Sequence, residues 1–367
     1  MSVNLDAEAH WLDTCTYCPK LCRQACPVSN ATPREALIPQ QKMETANLLR
    51  QGHLPWNRDY TEVLYGCSGC GACTAVCAHG NQPGRILMLA RGAAEERRTG
   101  HPALDRLDER FRARGERLAT ELRKRIAPAK RTDEARVAFH PGCDTVESAP
   151  DDLDAAMKVF DRVADYVRVT DGDEPCGGYP LWAAGRMDAF RYHARRFAES
   201  LRKHARVVSS CPACVWLLRE VYPHEGIGVR PEITHLLEFL ESFSGSLPEV
   251  HEGRQPALYH DPCYLGRYGG VYEGPRRLLG RVADVKEFSR NRAESECSGG
   301  GGLVPKTMPT TARDMARRRL RELGESGAKR VVTACPTCKK QFSRAQEGVE
   351  VVDLVTLLAR NLDAQRG

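Results

Sequence analysis

Long apolar runs are missing from this sequence: no stretch approaches the roughly 18 consecutive apolar residues of a membrane span, and no apolar segment precedes Cys15. The first Arg-Arg pair, Arg97-Arg98, comes too late for a twin-arginine export signal. These absences lead us to expect a cytoplasmic chain, either free or held at a membrane through a partner. No flavin or nicotinamide fingerprint is recognisable, and the Gly299-Gly300-Gly301-Gly302 run lacks the Lys-Ser/Thr of a phosphate loop. Neither sign of charge dominates, with 54 Lys and Arg against 48 Asp and Glu. At 367 residues the chain is long enough for two or three domains, each with its own core.

Cysteine is what the sequence has in excess. There are sixteen, and most stand two or three residues apart, a spacing poor for structural disulfides and good for sharing a metal. That points to a reducing compartment. The first group is Cys15, Cys18, Cys22 and Cys26; after a helical interval comes Cys67, Cys70, Cys73 and Cys77. The second group has the C-x2-C-x2-C-x3-C spacing of bacterial ferredoxins, and the first is one residue longer in its middle gap. In such runs three thiolates hold one [4Fe-4S] cube and the fourth reaches the other. The expected sets are therefore Cys15, Cys18, Cys22 and Cys77 for one cluster, and Cys67, Cys70, Cys73 and Cys26 for the other. Zinc also accepts four thiolates, but it usually draws on two separated pairs. Ala78 stands where ferredoxin motifs usually carry proline.

The remaining eight cysteines form an internal repeat. One copy runs His140-Pro141-Gly142-Cys143, Cys176-Gly177-Gly178 and Cys211-Pro212-Ala213-Cys214. Its counterpart runs His260-Asp261-Pro262-Cys263, Cys297-Ser298-Gly299 and Cys335-Pro336-Thr337-Cys338. Each copy delivers four thiols from three loops, so Cys143, Cys176, Cys211 and Cys214 are one expected metal set, and Cys263, Cys297, Cys335 and Cys338 the other. The CPxC cysteines should end a strand and open a helix, where the helix dipole lowers thiol pKa. A thioredoxin-like redox pair would use the same geometry. His140 and His260, three residues before the first cysteines, either finish a strand or serve the site.

Short strands such as 136–140, 166–169, 257–260 and 282–285 alternate with helices, including 152–160 and 274–280, and a closing helix at 233–243 or 352–361. The expected fold is an α-helical two-cluster ferredoxin-type domain followed by two repeated α/β units with mainly parallel sheets. We place the helical domain at 1–95, an amphipathic helical connector at 96–134, and the repeats at 135–250 and 251–367. In the connector, Leu104, Leu107, Phe111, Leu118, Leu122 and Ile126 recur at helical spacing. The formal charge of +6 treats every cysteine as neutral. Four iron-sulfur sites of roughly two negative charges each bring it to about −2, which argues against a nucleic-acid partner.

With its ferredoxin-type groups, its His260-Asp261-Pro262-Cys263-Tyr264-Leu265-Gly266-Arg267-Tyr268 stretch and its paired CPxC ends, the chain resembles the two-repeat cysteine-rich iron-sulfur oxidoreductases, the family of the heterodisulfide reductase and glycolate oxidase iron-sulfur subunits. The resemblance implies five cysteines per repeat, including a Cys-Cys-Gly motif, and in the heterodisulfide reductases non-cubane [4Fe-4S] clusters that cleave a disulfide. This sequence has Pro175 in place of the first cysteine of that pair in one copy and Ser298 in place of the second in the other. The expected function is an electron-transfer subunit with two [4Fe-4S] clusters in the N-terminal domain and a further cluster in each repeat. It would work with redox partner subunits such as a flavoprotein or a membrane-bound cytochrome. The competing readings are a catalytic heterodisulfide or thiol-disulfide reductase subunit, and a redox domain on a zinc-stabilised scaffold.

Overall fold

Eight short runs form strands among the described residues, and the apolar pairs of the inner ones, Val207-Val208 and Val331-Val332, are fully buried. The computed structural model describes residues 3–131, 135–170, 174–251 and 253–364. The first repeat contributes β1 (Val137–His140), β2 (Arg168–Val169), β3 (Arg206–Ser209) and β4 (Glu232–His235), all parallel in the order β2-β1-β3-β4. The second repeats the arrangement with β5 (Pro256–His260), β6 (Asp284–Glu287), β7 (Arg330–Thr333) and β8 (Glu350–Asp353), in the order β6-β5-β7-β8. Parallel neighbours need crossover connections, and helices supply most of them.

Two details depart from the sequence reading. The closing helices expected at 233–243 and 352–361 begin as the fourth strands, β4 and β8, and turn helical only at Leu236 and Leu354. Capping sets the switch point. His235 Nδ1 accepts from the Leu237 amide while Glu238 accepts from the His235 amide, and Asp353 accepts from the amide of Val355. Strand β6 starts two residues later than expected, because Val282 and Ala283 are drawn into the core while polar Lys286 and Glu287 suit an edge strand. The expected boundary at 134 lies outside the described residues.

The helices used below are α1 (Ala9–Tyr17), α2 (Pro39–Gln51), α3 (Pro83–Glu96), α4 (Leu107–Arg125), α5 (Pro150–Val163), α6 (Met187–Leu201), α7 (Pro212–Trp216), α8 (Pro309–Glu325), α9 (Pro336–Ala345) and α10 (Leu354–Ala364). Helix α5 of the first repeat packs on α10 of the second. One core spans both sheets, with Phe139, Phe160 and Leu236 on one side and Tyr259, Val332 and Leu358 on the other. Across this junction the buried Asp152 takes a salt bridge from Lys339 at 2.6 Å and a hydrogen bond from Thr356 at 2.6 Å.

The N-terminal region is helical, with its own core of Leu12, Met43, Leu49, Leu64, Ile86 and Leu87. It is fastened to both repeats by Arg91, which is fully buried. That guanidinium donates to the carbonyls of Leu64 and Cys67, to Ala183 of the first repeat and to Gly302 of the second. Helix α4 lays Leu118 and Leu122, with Ile126 just beyond it, into the first repeat's core, so the amphipathic connector is a packed one. No helix among the described residues is long and apolar enough to cross a membrane.

Candidate metal centres

The chain folds its first cysteine group against its second. Cys15 sits near the end of α1 and Cys18 just past it. Cys77 follows the short helical turn Ala72–Ala75, and the three meet Cys22 round a cavity of about 20 Å³ that Cys73 also lines. Burial, then the neighbouring Cys22, Cys77 and Cys18 thiols, push Cys15 up to about 12; burial and then Cys18 push Cys22 to about 11. Asn81 donates to the Cys15 sulfur at 3.1 Å. A second cavity of about 20 Å³ is lined by Cys26, Cys67, Cys70 and Cys73. Burial and then Cys67, Cys70 and Cys26 raise Cys73. Here the Gly69 amide faces the Cys67 sulfur at 3.4 Å, and Lys42 reaches Cys26 Sγ at 3.7 Å.

In each repeat the three cysteine-bearing loops converge at the carboxyl ends of the strands, where parallel sheets gather their ligands. Cys143, Cys176 and Cys214 lie close enough together for their thiols to interact. Cys211 caps α7, its sulfur accepting from the Cys214 amide at 3.3 Å. Gly142 makes this approach, since a Cβ there would stand 2.7 Å from that of Cys211 and its φ is +79°. In the second repeat Cys338 lies beside Cys335, Cys263 and Cys297, the Gly299 amide faces the Cys297 sulfur at 3.3 Å, and Ser298 donates to Cys338 Sγ at 3.3 Å.

The expected lowering of the CPxC thiol pKa values is overturned. Cys211 is raised well above the ordinary thiol range, first by Cys214 and then by burial; Cys338 is raised first by Cys335 and then by burial. The helix dipole at these positions does not offset the crowding of buried sulfurs. Such thiols are poor surface nucleophiles, and they become thiolates when a metal takes the place of the proton. The two histidines finish strands. His140 packs its ring 4.9 Å from Phe197 and His260 4.8 Å from Phe342, and burial holds both neutral.

The four sets form a series. Cys22 and Cys26 link the first to the second, each contributing to the other region's field. The Cys70 thiol meets the Cys297 thiol, which joins the second set to the second repeat. Cys211 of the first repeat lies within the field of Cys335 of the second. The second junction is tight because Gly301 and Gly302 lie against the backbone of Ser68 and Cys67; a Cβ on Gly302 would fall 2.0 Å from the Cys67 carbonyl oxygen. Tyr268 and Arg267 then reach across to the carbonyls of Gly69 and Cys70.

At the far end, a cavity of about 510 Å³ opens beside Cys143, Pro175 and Cys176. Helix α4 forms one wall, with Phe111, Arg112 and Arg114, while His193 and Tyr192 of α6 form another. Arg114 touches Cys143 Sγ at 3.4 Å and pairs with Asp144 and Glu147. Sequence reasoning missed Lys42, Asn81, Arg91, Arg114 and Arg267. Lys42 and Arg91 carried a usable signal, since each is a cation on an otherwise apolar helix face; Asn81 and Arg114 reach thiols 66 and 29 residues away, and Arg267 reaches the Cys70 carbonyl 197 residues away.

The Cysteine-rich domain family matches residues 137–219 and again 257–343, and the 4Fe-4S dicluster domain family matches residues 11–81. A dihydromethanophenazine:CoB-CoM heterodisulfide reductase subunit from Methanosarcina acetivorans is 25% identical, over 96% of this chain and 94% of that one. A fumarate reductase (CoM/CoB) subunit from Methanothermobacter marburgensis is 26% identical, over 81% of this chain and 60% of that one. A probable membrane-anchored ferredoxin of Chromohalobacter salexigens is 30% identical over 58% of this chain and 33% of that one. With two cysteine-rich domains behind a 4Fe-4S dicluster domain, and with relatives that match both parts, the chain is similar to the two-repeat cysteine-rich iron-sulfur oxidoreductases.

Proposed function

We propose that this chain is the iron-sulfur electron-transfer subunit of an oxidoreductase complex, relaying electrons one at a time between the N-terminal thiol sets and those of the repeats. The observation that carries this reading is the packing of the inner N-terminal thiol set against the second repeat, where Cys70 and Cys297 share one buried cluster and Gly302 abuts the backbone of Cys67. In this reading Cys15, Cys18, Cys22 and Cys77 hold an outer [4Fe-4S] cluster, and Cys26, Cys67, Cys70 and Cys73 an inner one. Cys263, Cys297, Cys335 and Cys338 hold a third centre, and Cys143, Cys176, Cys211 and Cys214 a fourth. The donor chemistry fits: each set has four sulfurs, and in three of the four sets a backbone amide is aimed at a sulfur.

Names of relatives as subunits of reductases support partner subunits for this chain as well. The cavity beside Cys143 and Cys176 is the place where the last centre meets its redox partner or substrate. Pro175, standing where the family has a cysteine, forms part of its wall, so the fourth centre has four protein thiols on a side open to small molecules.

The test is iron, sulfide and zinc per chain on anaerobically purified protein, with low-temperature EPR. Two cubes need roughly eight irons and four need roughly sixteen. Near sixteen without zinc bears the proposal out. Near eight after reconstitution, with zinc in the repeats, confines electron transfer to the N-terminal region and overturns it.

A further inference from the structure

Lysine is among the residues least often buried, because its ammonium group must be paired or lose its hydration. Lys42 on α2 is 1% exposed, and its described partners are the carbonyl of Gly66 at 2.8 Å and Cys26 Sγ at 3.7 Å, with no carboxylate among them. A methionine would fill this helix position without the cost of burying a charge. Arg267 reaches the same thiol set from the second repeat. Its Nε donates to the Cys70 carbonyl at 2.7 Å and its Nη1 to Ser295 and Ala293, while its Nη2 is buried with no hydrogen-bond partner. Cys70, Cys263 and Cys297 are the thiols nearest to it.

The outer set is differently placed. Asn81, a neutral donor, serves Cys15. The cations closest in sequence, Lys20 and Arg23, have side chains 41% and 57% exposed, and both share Glu35. Water and a carboxylate screen them.

We propose that Lys42, assisted by Arg267, holds the inner centre on Cys26, Cys67, Cys70 and Cys73 at a higher reduction potential than the outer centre on Cys15, Cys18, Cys22 and Cys77. Electrons from an external one-electron carrier protein then run inward, towards the repeats. The inference rests on reading both sets as iron-sulfur sites. Adding an electron to such a site adds one negative charge and transfers no atom; a cation fixed against a buried sulfur stabilises that charge more than a hydrated one does. Water at the half-exposed Cys18, Cys22 and Cys77 works in the opposite direction, but partial solvation is weaker than a full charge in contact.

EPR-monitored potentiometric titration of the full chain tests this, with Cys67→Ser used to identify the inner signal. In the unaltered chain the inner signal should develop at the higher potential. Lys42→Met should lower its midpoint towards or below that of the outer signal, which moves much less, and Lys42→Arg should restore it. Should Lys42→Met fail to keep its iron, Arg267→Met carries the test, with Arg267→Lys as the charge-retaining control. The proposal is overturned if the outer centre titrates first in the unaltered chain, or if an iron-replete Lys42→Met or Arg267→Met leaves the inner midpoint unmoved. A chain with no pair of N-terminal cluster signals overturns the underlying reading, and the proposal with it.

Discussion

Cys211 and Cys335 occupy equivalent positions, each two residues beyond a strand and at the N-cap of the helix that carries its CPxC partner. Replacing either with serine should remove one repeat centre and leave both N-terminal EPR signals in place. An unchanged metal inventory in both variants would falsify the repeat-site assignment. The histidines make a separate prediction at this scale. Burial lowers His140 to about 4 and His235 to about 3, so both are neutral in the fold. The unfolded chain takes up protons at these sites below about pH 6.5, where the folded chain does not. Their stabilising effect is therefore complete above pH 6.5 and is lost as pH falls towards 4 and then 3. For His140 alone the loss is on the order of 3 kcal/mol, at 1.36 kcal/mol per pKa unit. Urea midpoints of the metal-free chain at pH 7, 5 and 4 should fall accordingly; a flat profile would contradict it.

Among the elements, α4 has two roles that its sequence pattern presents as one. Its apolar stripe buries Leu118 and Leu122 at 1% exposure each, and its polar face supplies Arg114 to Cys143. Leu122→Ala should cost about 2–5 kcal/mol, the usual range for a buried leucine. Arg114→Met should also cost stability, because Asp144 and Glu147 lose a partner, and in addition shift the midpoint potential of the first repeat's centre downward. If an iron-replete Arg114→Met leaves that potential unmoved, Arg114 serves its carboxylates and not the centre. The helical pattern of the connector was legible from its heptad-like leucines. Its contact with Cys143, 29 residues away, was not, because periodicity gives the face of a helix and not its neighbour.

For the whole molecule, the decisive joint is the seam where Gly301 and Gly302 meet Ser68 and Cys67 and where Cys70 meets Cys297. Gly302 combines a φ of +58° with a Cβ position 2.0 Å from a carbonyl oxygen, so any side chain must push the N-terminal region off the second repeat. Gly302→Ala should therefore keep all the thiols but abolish magnetic coupling between the inner centre and the second repeat's centre. Persistent coupling at full strength would show that the seam does not carry the path.

The order of strands and helices, the internal repeat and the thiol groups were readable from residues alone because each depends on local spacing: apolar runs, Pro-opened helices and cysteines two or three residues apart. Strands β4 and β8 were not readable, since Ile233-Thr234 and Val351-Val352 lead straight into helices and a short apolar run has no period of its own. Nor was the thiol chemistry at the CPxC ends, where crowding and burial outweigh the helix dipole. Only the tertiary structure decided which centre faces which. It brought Cys70 to the distant Cys297, Arg91 to both repeats, and Lys42 to a buried sulfur. Contacts between elements far apart in the chain follow from how whole faces pack, and no local pattern of residues encodes them.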